Sequence, residues 1–135
     1  MYFYRSLFLT LLLSLSVFSM QAQNQGPQTP EEKEKLLLEA VDKEVNHLST
    51  LLKLEYWQEF YVDSTLTHDY RAMTEELETL QKAKVENPDL YQQVQDKWMQ
   101  KIADSYKRFL TPEQWQKYWK SGGKRDQQAR DKRKK

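Results

Sequence analysis

Three of the four prolines in this chain directly follow a residue whose side chain can cap a helix: Thr29-Pro30, Asn87-Pro88 and Thr111-Pro112. A capping oxygen accepts from the free N–H groups of the first turn. Proline at the next position has no N–H to lose there, and its fixed φ already suits a helix. Glu32 and Gln114 stand where each can reach back to the N–H of its threonine, which completes two capping boxes. These three starts divide the chain into helical segments before hydropathy is considered.

Apolar spacing says the same. Leu37, Val41, Val45, Leu48 and Leu52 recur at threes and fours, as do Val62, Leu66, Tyr70, Met73, Leu77 and Leu80, and then Tyr91, Val94, Trp98, Ile102, Tyr106 and Phe109. That period is helical, and no stretch alternates with the period of a strand. The expectation is an all-α fold with helices over about 31–48, 53–86, 88–109 and 112–121. The two middle helices form a long helical hairpin, and the short flanking helices pack on it. Gly122-Gly123 is expected to stop the last helix. The helical domain is thus 30–121, after a flexible leader at 23–29.

The ends have a different composition. Arg5 followed by the apolar run from Leu7 to Phe18 reads as a secretory signal peptide over residues 1–22, cleaved near Ala22. The run is too short to span a bilayer. Cysteine is absent, which removes both disulfides and a lipoprotein anchor. The expected location is the periplasm. Residues 122–135 carry Lys124, Arg125, Arg130, Lys132, Arg133, Lys134 and Lys135 against Asp126 and Asp131, although the whole chain is only +1. The body is therefore acidic. The segment reads as a disordered basic tail, with solvation as its plainest role and an anionic membrane surface as its functional alternative. Nucleic acid is not expected, because an acidic body repels a polyanion.

The inventory argues against catalysis. The chain holds three glycines and no phosphate loop, no cysteine nucleophile and no serine elbow. Ser49, Ser64 and Ser105 have no base nearby in the sequence. His47 and His68 fall on different helices, and zinc would need them to meet carboxylates such as Glu44 or Asp69. No enzyme activity, cofactor or metal is expected.

Aromatic residues carry the functional signal. Every aromatic beyond Phe18 lies between Tyr56 and Trp119. Tyr56, Trp57, Phe60 and Tyr61 crowd one helix start, and Trp115, Tyr118 and Trp119 crowd another. Each group is wider than the apolar stripe of one helix, so part of it must face water or another chain. These seven residues are the candidate binding residues. The partners they fit are a protein client, a dedicated envelope partner, or a second copy in a homodimer.

The two crowded starts also echo each other. Leu52/Leu110, Glu55/Glu113, Trp57/Trp115 and Gln58/Gln116 are identical at one constant spacing, with Lys53 falling where a cap would stand. A lysine cannot accept those hydrogen bonds, which predicts a kink there. Leu110, Thr111, Pro112, Glu113 and Gln114 resemble the LTxxQ signature of the Spy/CpxP-like family of small periplasmic helical proteins. Its first counterpart is Leu54-Glu55-Tyr56-Trp57-Gln58, in a different register from the echo. The resemblance implies a cradle-shaped helical dimer acting in envelope stress, as an ATP-independent chaperone or a sensor-inhibitor. Read locally, the same motif is a helix start: Thr111, Pro112 and Gln114 build the cap, and Leu110 staples Trp115.

Overall fold

The computed structural model of the chain describes residues 28–135. The expected signal peptide and residues 23–27 of the expected leader lie outside the described residues. The chain divides into two compact units, Met1–Lys35 and Leu36–Lys135. Of the first, the described part is the opening of helix α1 (Pro30–Leu52). There Thr29 makes both arms of the expected box: its N–H donates to Glu32 Oε2 at 3.0 Å, and its Oγ1 accepts from the Glu32 N–H at 3.2 Å.

The second unit is all-α, and no strand occurs among the described residues. Helix α1 runs to Leu52, past the expected end, and stops where Lys53 turns to φ 54°. A left-handed residue beyond the last turn ends a helix whatever its side chain, although glycine takes that shape at less cost. Helix α2 (Tyr56–Lys82) therefore starts later than expected. Its cap is Glu55, whose N–H donates to the Gln58 Oε1 at 2.9 Å. It also ends earlier than expected, with Lys84 at φ 54° and N–H bonds from Lys84 to Gln81 O and from Val85 to Leu80 O. That paired closure is a Schellman turn built on lysine instead of glycine. At 27 residues, α2 is about 40 Å long.

Helix α3 (Pro88–Phe109) has the expected ends, and Asn87 Oδ1 accepts from the Asp89 N–H at 3.0 Å. It returns antiparallel along α2. Gln58 bonds Phe109 at one end of the pair, Glu76 bonds Trp98 further along, and the Tyr91 hydroxyl donates to Val85 O at the other end. The core is Val41, Leu48 and Leu52 of α1, Val62 and Leu66 of α2, Ile102 and Tyr106 of α3, and Leu110. It gathers where α1 and the segment after Phe109 join the hairpin. Towards the hairpin tip Met73, Leu77, Leu80, Tyr91 and Val94 are only half-buried.

Helix α4 (Pro112–Tyr118) is shorter than expected and passes through a π turn (Trp119–Gly123) into helix α5 (Lys124–Arg133). This corrects the expectation of a disordered tail. Gly122 takes φ 155°, a conformation L side chains rarely adopt, so the glycine pair turns the chain into a further helix instead of ending it. Helix α5 is docked on α3: the Arg133 Nε and Nη2 each donate to Asp96 at 2.7 Å, and the Arg130 Nε donates to Gln100 Oε1 at 3.2 Å. Arg130 is buried.

Candidate functional site

The two cap motifs meet in space. Gln58 and Gln114 hydrogen-bond each other in both directions, at 2.6 and 3.0 Å. Gln58 Nε2 also donates to Phe109 O at 3.1 Å, and Gln114 Nε2 to Leu52 O at 3.3 Å. Each amide oxygen accepts the N–H of its own cap residue, Glu55 or Thr111. Every polar atom of the pair is thereby occupied, and each glutamine ties its own helix start to the last turn of the helix that precedes the other start. Gln58 is 1% exposed. A buried amide pair is stable only when its bonds are complete, and here they are. The structural counterpart of Thr111 and Gln114 is therefore Glu55 and Gln58, which is the Leu54–Gln58 register. The pairing of Leu52 with Leu110 is a coincidence of composition: Leu52 lies at a helix end and Leu110 before a helix start.

Behind Glu55 the aromatics stand in water. Tyr56 is 88% exposed, Phe60 64%, Tyr61 51% and Trp57 47%. They are nevertheless ordered against one another. Trp57 and Tyr61 meet edge to face at 6.1 Å between centroids, Phe60 and Tyr61 at 5.9 Å, and Tyr61 stacks on Phe109 at 6.1 Å. The Trp57 Nε1 donates to Glu55 Oε2 at 2.6 Å, which fixes the indole beside the cap. Glu59, on the same turns, bonds the Ser49 hydroxyl of α1.

Behind Thr111 the outcome differs. Trp115 and Tyr118 pack against the core, and Trp119 is half-buried and stacked on Trp115 at 5.8 Å. Thr111 and Pro112 are exposed cap residues, whereas Leu110 is buried. Of the seven candidate binding residues, then, the four on α2 form an open face, and the three on α4 and the π turn are largely occupied by intramolecular packing. Phe109 and Tyr106 join the two groups, since Tyr106 touches Phe109 at 5.9 Å and Tyr118 at 5.5 Å. Sequence reasoning placed both on the apolar stripe of α3 as ordinary core. Only the meeting of α3 with α2 and α4 makes them the link.

A second polar feature, which no motif announces, centres on Glu44. Glu44 of α1 is pushed up to about 7, first by burial and then by the Asp126 carboxylate, with Lys43 opposing. The same surroundings raise Tyr70 and Tyr106, chiefly by burial and then through Glu44. Burial also pushes Tyr118 up to about 12, against the pull of Arg130. These groups are spread over α1, α2, α3, α4 and α5, so only the fold brings them together.

His68 Nδ1 lies 2.8 Å from Asp69 Oδ1, the two being neighbours on α2 with the histidine exposed. The Ser105 hydroxyl is buried, donates to Lys101 O and accepts from Arg108, so both its roles are taken within its own helix. Among the described residues no three His, Asp or Glu side chains converge on a metal position, and no helix is long and apolar enough to cross a membrane. No family model matches the chain, and no curated protein or solved structure matches it either.

Proposed function

We propose that this chain is a non-enzymatic helical binding protein of the bacterial envelope, exported by its signal peptide to the periplasm, where it acts as an ATP-independent chaperone or envelope-stress modulator. The observation that carries this reading is the open aromatic face of Tyr56, Trp57, Phe60 and Tyr61. With 150–250 Å² per aromatic side chain, those exposures leave roughly 500 Å² of aromatic surface in water. That is at the upper end of the largest patch on an ordinary monomer. Covering it yields about 12 kcal/mol before costs. Association and ordering take back about 4–15 kcal/mol, so the net binding is transient, as suits a client that is held and released. The likeness of Leu110–Gln114 to the Spy/CpxP-like signature supports the same reading.

The test is light scattering of a reduced, aggregating model protein with the mature chain added at equimolar ratio and no nucleotide. Wild type should suppress scattering, and the variant W57A/F60A/Y61A should lose most of that effect while keeping its helical circular dichroism. Unchanged scattering with wild type would overturn the reading.

One observation favours a second reading, a dedicated subunit of an envelope complex. The rings are pre-set by edge-to-face contacts and by the Trp57–Glu55 bond, and a rigid surface is the form that suits a single partner. Crosslinking in cells separates the two: one stoichiometric partner, or a second copy in a homodimer, against many substoichiometric clients. The basic α5 end then supplies attachment to an anionic surface, and raised salt should weaken it.

A further inference from the structure

Helix α5 has two faces of different chemistry. Its one apolar residue is Ala129, so burial of carbon contributes little to its docking. Polar bonds hold it instead. Arg133 Nε and Nη2 each donate to Asp96 of α3, and the buried Arg130 donates to Gln100 of α3 and to Gln127 of its own helix. Lys124, Gln128 and Lys132, spaced by fours, line the opposite side with Arg125 beside them, and all four are exposed. Lys134 and Lys135 are exposed just past the helix end. Asp131, the one acid on the outward side, accepts from Gln127 and lies 3.8 Å from Lys134, so its charge is offset.

We propose that α5 is a preformed headgroup-binding face: its arginines are spent inwards on α3, and outward Lys124 and Lys132 with their neighbouring cations lie on the phosphates of an anionic lipid surface. This rests on the second reading above, in which the α5 end attaches to an anionic surface, and adds which side of the helix makes the contact.

Charge chooses the partner. Lys124, Arg125, Lys132, Lys134 and Lys135 stand outside, while the Arg133 charge is already answered by Asp96. A flat bilayer meets the outward side of α5 alone, whereas a long polyanion that wraps the protein also meets its acidic body. No apolar residue stands among Lys124, Arg125, Gln128 and Lys132, so the helix rests among headgroups and does not insert as an amphipathic helix does. The bonds to Asp96 and Gln100 also order α5 before it meets a surface. A disordered basic segment would have to meet that ordering cost on binding.

Co-sedimentation of the mature chain with lipid vesicles tests this, using phosphatidylcholine alone or mixed with phosphatidylglycerol. Wild type should partition onto the mixed vesicles at low salt, let go as salt is raised, and ignore the neutral ones. Each lysine near an anionic surface is worth about fivefold in partition, so K132Q should lose about fivefold and K124Q/K132Q about thirtyfold. Arg133 is the next residue but lies on the other side, so R133Q should lose about twofold or less. D96N breaks the same ion pair and keeps the arginine, so R133Q should stay within about threefold of it even where α5 is loosened. Circular dichroism should show no gain of helix on binding. Any of three results would overturn the proposal while the chain still attaches: R133Q losing as much as K132Q with D96N unweakened, a gain of helix on the vesicles, or a DNA duplex bound as tightly as the mixed vesicles at the same salt. Absence of wild-type partition onto the mixed vesicles would remove the attachment reading itself, and the proposal with it.

Discussion

Behind Glu55 four aromatic side chains stand in solvent, and behind Thr111 two lean on the core and a third stacks on one of them, although both helices begin with the same device. Each start has a cap residue, a glutamine three positions on, and a leucine before the cap. The difference lies in what arrives next. Helix α4 is seven residues long and turns at once into a π turn and α5, so its aromatics sit among Tyr106, the core and one another. The first turns of α2 receive Phe109 against Tyr61 and otherwise remain open. The cap motif is therefore a structural device that is neutral about function. Coverage of the aromatic residues that follow it is what separates a scaffold from a binding face.

The strongest way to break the comparison is to remove what the two starts share. Gln58→Ala deletes a buried amide and strands the Glu55 N–H, Phe109 O and part of Gln114. Each buried group left unpaired costs about 1–3 kcal/mol, so a loss of about 3 kcal/mol or more is expected in urea denaturation. Gln114→Ala should cost less, because Gln114 is only half-buried. The double variant should cost less than the sum of the two, since each single change already ruins the other glutamine's bonds. Strict additivity would mean that the pair is not one unit.

The sheltered half can be probed separately through pH. Glu44 is raised in the folded state to about 7 from an ordinary value of 4.5. Its neutral form is favoured by the fold, so its contribution is fully present below about 4.5 and is lost as pH rises through about 7. Glu44→Gln should match wild type near pH 4 and exceed its stability at pH 8, by on the order of 2 kcal/mol. Thermal melts at the two pH values read the crossover. A variant no more stable than wild type at pH 8 would remove the strain assigned to this layer.

How much of the fold was legible in the sequence depends on the chemistry of each boundary. Helix α3 was readable end to end, because Asn87-Pro88 opens it and Leu110-Thr111-Pro112 opens the next helix. The junction of α1 and α2 was misplaced, because a lysine takes the left-handed turn there and a glutamate serves as cap, and neither is a usual signal. Helix α5 was invisible for another reason. It has no apolar stripe, and its partners Asp96 and Gln100 are far away in sequence, so local pattern reading returns a charged tail. For the aromatics, the excess was legible from crowding, but its division into open and covered halves needed the positions of α3 and α5.

Lys53 tests the junction directly. The path into the first cap uses two residues beyond Leu52, one of them at φ 54°, whereas the path into the second uses only Leu110 in an extended shape. A non-glycine residue in the left-handed region costs about 1 kcal/mol. Lys53→Gly should therefore stabilise the chain by no more than about 0.5 kcal/mol, after the extra freedom glycine gives the unfolded state. The same substitution one residue later, at Leu54, replaces a side chain packed against the core and should destabilise. Denaturant midpoints distinguish the two, and a loss of stability at both positions would show that Lys53 contributes through its side chain.

The smallest expected effect on stability sits at the most exposed of the aromatic residues. Tyr56 comes directly after the Glu55 cap and has almost no contact to lose, so Tyr56→Ala should change stability by no more than about 0.5 kcal/mol. Trp115→Ala, one turn into the other start, removes a ring that packs on the core, on Tyr118 and on Trp119, and should cost several times more. Capture of an aggregating protein should respond in the opposite order, with Tyr56→Ala and Phe60→Ala weakening it and Trp115→Ala acting only through stability. If Tyr56→Ala left capture intact while Trp115→Ala abolished it at matched folded fraction, the binding face would belong to α4, and the contrast between the two starts would have to be reversed.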